Sequence, residues 1–94
     1  MDTLPFFRLG EKVKVKSVTE IEETKGVHHV RSRGLDVFCM YKNMSYQVFS
    51  KDDIGYRFET GVVEGGIYDN YLKVRMEDGT LRLFPHFALK KIDK

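Results

Sequence analysis

YLKVRMEDGTLRLFPHFALKKI, residues 71–92, carries the signals that decide the fold. Leu72, Val74 and Met76 alternate with Tyr71, Lys73 and Arg75, the period of two that a half-buried strand requires. Glu77-Asp78-Gly79-Thr80 supplies a turn, since Gly79 takes a positive φ without a Cβ penalty. Leu81 and Leu83 then read as the inward face of a second strand. Pro85 cannot donate to a ladder, so it ends that strand and starts a short helical turn over 85–89. Strand, turn, strand, helical turn, strand is the ending of a small β-barrel.

Outward from this unit, the chain alternates short apolar runs with turn signals. Residues 1–10 form a lead-in, with Leu4, Phe6 and Phe7 as anchors and Gly10 as a turn. EKVKVK (11–16) reads as a strand with Val13 and Val15 inward and Lys12, Lys14 and Lys16 outward. Ser17 and Glu20 have the spacing of a capping box, which predicts a helix from Val18 to about Lys25, stopped by Gly26. VHHVRSRGLD (27–36) reads as a loop sooner than a strand. Residues 37–40 and 46–50 are strand-like and are separated by the polar Lys42-Asn43. Asp52, Asp53 and Gly55 mark a turn, 56–63 a strand bulged at Gly61, and 64–70 a turn-rich connection. Five or six short antiparallel strands with one inserted helix suit a closed barrel, which leaves no sheet edge exposed.

Ninety-four residues suffice for one domain, 1–94, and a chain of this size hides roughly 60–65% of its extended surface without staples. The absence of a long apolar run predicts no membrane span, and the acid at position 2 with only a short apolar patch predicts no secretory leader. A single cysteine, Cys39, fits a reducing cytoplasm. The 16 basic and 14 acidic residues leave a net charge of +2, too balanced for a charge-driven DNA packager. Electrostatic function must therefore come from local clustering.

LFPHFALKKI (83–92) and GEKVKV (10–15) together resemble the two ends of SH3-like barrels. Such domains commonly close on an aromatic-Pro pair, a helical turn and a short last strand. The resemblance implies an SH3-like five- to six-stranded antiparallel barrel. It does not extend to Pro-rich peptide binding, because the chain has no Trp and no Ala-Leu-Tyr-Asp-Tyr run. The arrangement of a V-K-V-K-S strand, a helix, Met40 and an aromatic ending also resembles small uncharacterised proteins of tailed bacteriophages. That implies a phage or bacterial cytoplasmic origin and transfers no active residues.

Two surfaces carry functional expectations. The aromatic segment between Arg31 and Tyr46, with Arg31, Arg33, Tyr41 and Tyr46 as contacts, suits a non-enzymatic binding module that docks on a host protein or complex. The alternative is RNA or single-stranded DNA on a basic β-face of Lys12, Lys14, Lys16, Lys73, Arg75 and Arg82, with Tyr71 and Phe84 as stacking rings. Each stacked base contributes about 1–3 kcal/mol, and six phosphate contacts give a log–log salt slope of about −4 to −5. Outward lysines on strands equally serve solubility and edge protection. The seven Phe and five Tyr exceed what so small a barrel encloses, so partner contact and core anchoring both remain open for them.

Chemistry-bearing motifs are weak by comparison. Adjacent His28 and His29 on a strand point to opposite faces, and with one cysteine they make a poor zinc set. Cys39 lies in an apolar run that predicts a buried, inert thiol. Gly65-Gly66 lacks the Lys-Ser/Thr of a phosphate loop. No cofactor, metal or membrane partner is expected.

Overall fold

The computed structural model describes residues 6–67 and 70–92; Leu4, named above as an anchor, lies outside them. Within these limits the fold is mainly β, with eight strands, one α-helix and two single 3-10 turns. In chain order the elements are β1 (Lys12–Val15), α1 (Val18–Glu22), β2 (Val27–Arg33), β3 (Asp36–Tyr41), β4 (Met44–Phe49), β5 (Thr60–Ile67), β6 (Tyr71–Met76), β7 (Leu81–Pro85) and β8 (Leu89–Lys91). The 3-10 turns are Ile54–Tyr56, before β5, and His86–Ala88, between β7 and β8.

The strands divide into two antiparallel sheets, where the strand count of the sequence suggests one barrel of five or six. One sheet has the order β7-β6-β5-β1-β8, the other β2-β3-β4. A single core lies between them. Val13 and Val15 from β1, Leu72, Val74 and Met76 from β6, and Phe84 from β7 meet Val37, Cys39, Val48 and Phe49 from the smaller sheet. Edge-to-face contact of Phe49 with Phe84, centroids 6.0 Å apart, ties β4 to β7.

The 27–36 segment is not a loop. Val27–Arg33 is a strand of a three-stranded meander, paired with β3 from Val27–Tyr41 to Arg33–Asp36. Its alternation is hidden because the ladder shifts register between His28 and Arg31, with His29 at φ +55. The extra residue in this bulge breaks the period of two on which a strand reading depends. Lys42 and Asn43, both at positive φ (49° and 69°), make the tight turn from β3 to β4, as two-residue hairpins demand.

α1 has both halves of the expected capping box: the Glu20 N–H donates to Ser17 Oγ at 3.1 Å, and the Ser17 N–H to Glu20 Oε1 at 2.9 Å. It is shorter than expected, ending at Glu22, and buries Ile21 against the core. β5 begins later, at Thr60, and continues through Glu64-Gly65-Gly66 to Ile67. Its irregularity falls between Val63 and Gly65, not at Gly61. Gly61 instead permits close strand approach: a Cβ there would lie 2.6 Å from Val74 Cγ1 and 2.7 Å from the Arg75 carbonyl oxygen.

One register differs with large consequences. The Met76 N–H donates to the Thr80 carbonyl at 2.9 Å, so the β6–β7 loop spans 77–79, with Gly79 at φ +89 as its third residue. This is one residue shorter than the turn over 77–80 that the sequence suggests. A one-residue shift exchanges the faces of a strand. Lys73 therefore stands opposite Leu83, and Val74 opposite Arg82. Leu81 and Leu83 face outward, 42% and 43% exposed, while Phe84 is fully buried.

Candidate functional site

The outer face of the five-stranded sheet does not form the continuous basic surface expected of it. Lys12 is exposed, and Lys14 and Lys73 are half-buried, without an ion pair among the described residues. The remaining members are otherwise engaged. Arg75 grips Glu64 with two bonds of 3.0 and 3.1 Å and also donates to the Gly79 carbonyl. That pair pulls the Glu64 carboxyl below its ordinary range. Lys16 is half-buried and donates to Thr24 Oγ1 at 2.9 Å, with burial lowering its ammonium pKa.

Arg82 and Phe84 are corrections. Both lie on the core side of β7, because the short hairpin turns Leu81 and Leu83 outward in their place. The Arg82 charge is tolerated there by Asp53 at 3.3 Å, by the Tyr56 hydroxyl, and by the Tyr56 ring beneath it at 4.9 Å. The Tyr71 ring is half-buried against Tyr46 at 5.8 Å, and its hydroxyl donates to the Gln47 carbonyl. Of the two expected stacking rings, Phe84 is fully buried and Tyr71 is half-covered. With Leu81, Leu83 and Val62 interspersed, the face is mixed.

The meander β2-β3-β4 differs. Its inner side carries Val37, Cys39, Tyr46 and Phe49 into the core. On its outer side, Arg31 pairs with Phe38 and Phe38 with Gln47, while Met40 pairs with His28 and Ser45. The result is a groove of about 720 Å³. Half-buried Phe38 and Met40 form its floor, Arg31, Arg33 and His29 one wall, and Ser45 and Gln47 the other.

Arg31 and Arg33 are exposed and make no ion pair among the described residues. Among the described residues no carboxylate lines the groove. The nearest in register, Asp36 opposite Arg33, accepts the Lys51 N–H at 2.8 Å.

Of the four residues expected to make protein contacts, the two arginines are on this face, Tyr46 borders the groove but is buried, and Tyr41 does not line it. Tyr46 is buried, and Tyr41 stacks on Phe87 at 4.5 Å and meets the edge of His86 at 5.1 Å. Odd positions of β3 point to the core, so Tyr41, and Tyr46 across from Cys39, join the aromatic cluster between the sheets. Phe38 and Met40 take the outward positions. The signal for them is the run Val37-Phe38-Cys39-Met40, apolar at every position. An antiparallel strand with one solvated face alternates, and this run does not.

Elsewhere the chemistry is quiet. Burial pushes the Cys39 thiol up to about 11, far from the reactive range. His28 and His29 are exposed, with ring centroids 6.4 Å apart. Among the described residues no three His, Cys, Asp or Glu side chains cluster as a metal site would require. None of the described helices is long and apolar enough to cross a membrane. Comparison of the chain with protein-family models, curated proteins and solved structures gives no match.

Proposed function

We propose that this protein is a non-enzymatic binding module that docks on a partner protein through the outer face of the β2-β3-β4 sheet. The observation that carries the reading is the pair Phe38 and Met40, apolar side chains on the outward face of a sheet whose other face already supplies the core. Water-facing strand positions are normally polar in antiparallel sheets. Met in particular suits partner surfaces, because its unbranched thioether adapts to varied shapes.

We read the larger sheet as SH3-like. Its last strand, β8, pairs with the first, β1, which pairs with the start of the β5-β6-β7 meander, and a 3-10 turn separates β7 from β8. On that reading the meander β2-β3-β4 is an insertion between the first strand and the rest, a position suited to a docking element grafted on a scaffold.

Nucleic-acid binding by the larger sheet ranks second. Arg75 is ion-paired, Arg82 and Phe84 lie on the inward side, and Tyr71 is half-covered. Lys16 is engaged with Thr24, and Lys12, Lys14 and Lys73 lack the interleaved rings that single-strand binders use.

A photo-crosslinking amino acid at Met40, compared with one at Lys12, tests the assignment in cells that express the protein. Discrete protein adducts from Met40 that survive nuclease treatment are expected. Adducts confined to Lys12 and abolished by nuclease would transfer the function to the other sheet.

A further inference from the structure

Resting on that docking reading, we infer that the groove over Phe38 and Met40 takes an extended protein segment bearing carboxylates at alternate positions beside an apolar side chain. The walls dictate the charge. Arg31 and Arg33 lie two residues apart on one face of β2 and form no ion pair among the described residues. Their Cα atoms are about 7 Å apart along the strand, which is also the spacing of alternate residues in an extended ligand. Guanidinium groups match carboxylates with two parallel hydrogen bonds. Among the described residues no carboxylate lines the groove to compete.

The floor dictates the rest. Phe38 and Met40 exclude water beneath the ligand, which strengthens the charged contacts at the rim and rewards an apolar side chain between them. A second copy of this chain is disfavoured as occupant, because face-to-face packing would set Arg31 and Arg33 against their own copies. A single-stranded nucleic acid would find the arginines but no tyrosine ring to stack on, only the edge of a floor that Phe38 shares with Met40. Tyr41 and Tyr46 are engaged with Phe87 in the core cluster, and Phe38 is half-buried in the floor.

The test is an amide-shift NMR titration of the full chain with three short probes of equal length. One is a peptide with Asp at alternate positions around Leu, the second its Lys counterpart, the third oligothymidylate. The acidic peptide is expected to shift resonances over residues 29–47. Arg31→Glu with Arg33→Glu should weaken it about tenfold, the sum of two rim ion pairs, and should confer affinity for the Lys peptide. Lys12→Glu with Lys73→Glu, on the other sheet, should change neither.

Should the charge-reversed protein lose its native amide spectrum, Arg31→Gln with Arg33→Gln is the substitute, with the same loss expected. No shift with the acidic peptide, undiminished binding by the arginine variants, or preferential binding of oligothymidylate at this groove would each overturn the inference. The Met40 crosslink reports whether this face docks protein at all, so adducts there alongside a failed titration refute the acidic partner and leave the docking face standing.

Discussion

Met76 donates its backbone N–H to the carbonyl of Thr80, and this one bond fixes which half of β7 faces the core. It closes the loop after three residues, sets Val74 opposite Arg82 and turns Leu81 and Leu83 to solvent. Phe84, behind Leu83, becomes one of the largest fully buried side chains in the domain.

The two neighbours should consequently respond in opposite ways to truncation. Phe84→Ala deletes a buried ring that touches Phe49 and should cost about 3–5 kcal/mol in urea unfolding. Leu83→Ala removes exposed surface and should stay within about 0.5 kcal/mol of wild type. A large cost at Leu83 with little at Phe84 would restore the longer loop and the opposite register.

Most of the β character is legible in the sequence, because the signals are local. The capping box at Ser17 and Glu20, the alternation in β1 and β6, and the turn at His86–Ala88 all follow from neighbours in the chain. What escapes is set by length and by distance. Register in β7 depends on a single residue of loop, and an Arg on the core side contradicts pattern unless Asp53 and Tyr56, far away in sequence, are known to receive it. The bulge at His29 erases the alternation of β2, so the strand that bears half the candidate site reads as a loop. Arg31 and Arg33 are identifiable from sequence as exposed cations. Phe38 and Met40 need the knowledge that Cys39 and Val37 already fill the other face.

Cys39 should be silent toward thiol reagents in the native state. It is 2% exposed, and burial raises its pKa to about 11, so the thiolate that reacts is scarce near neutral pH. An aromatic disulfide reagent is expected to label it only at the rate of global unfolding and rapidly in denaturant. Fast labelling of the folded protein would mean that β3 and β4 open locally.

Tyr56 should set the acidity of Asp78. The Tyr56 hydroxyl donates to Asp78 Oδ2 at 2.5 Å, and the Thr80 N–H donates to Oδ1 at 2.9 Å. These bonds, led by the tyrosine, hold the carboxyl at about 2, below its ordinary 3.8. Because the folded value is the lower one, the stabilisation is present above the unfolded value and fades as pH falls through the folded one. Tyr56→Phe removes the leading cause and should move the Asp78 carboxyl resonance to a midpoint closer to 3.8. An unchanged midpoint would assign the shift to Thr80 alone.

His86 should make the fold weaken as the solution turns mildly acidic. Its ring stacks on Phe6 at 3.9 Å, meets the ring of Tyr41 edge-on at 5.1 Å and lies within the field of Lys42 and Lys16. Burial, and then those two cations, lower its pKa from 6.5. The folded protein therefore binds this proton less readily than the unfolded chain does. Between the lowered value and about 6.5 the unfolded state holds more protons, so stability rises with pH in that window. It is complete above the unfolded value and is lost progressively below it.

His86→Phe keeps a ring against Phe6 and deletes the titration. Exposed His28 and His29 remain in both proteins, so the difference in slope isolates His86. Urea unfolding from pH 7.5 down to about 5.5, a range spanning the ordinary histidine pKa, should show a steeper loss for wild type than for the variant. Parallel slopes would mean that the proton is accommodated in the folded state, with the Phe6 face serving as its cation–π partner.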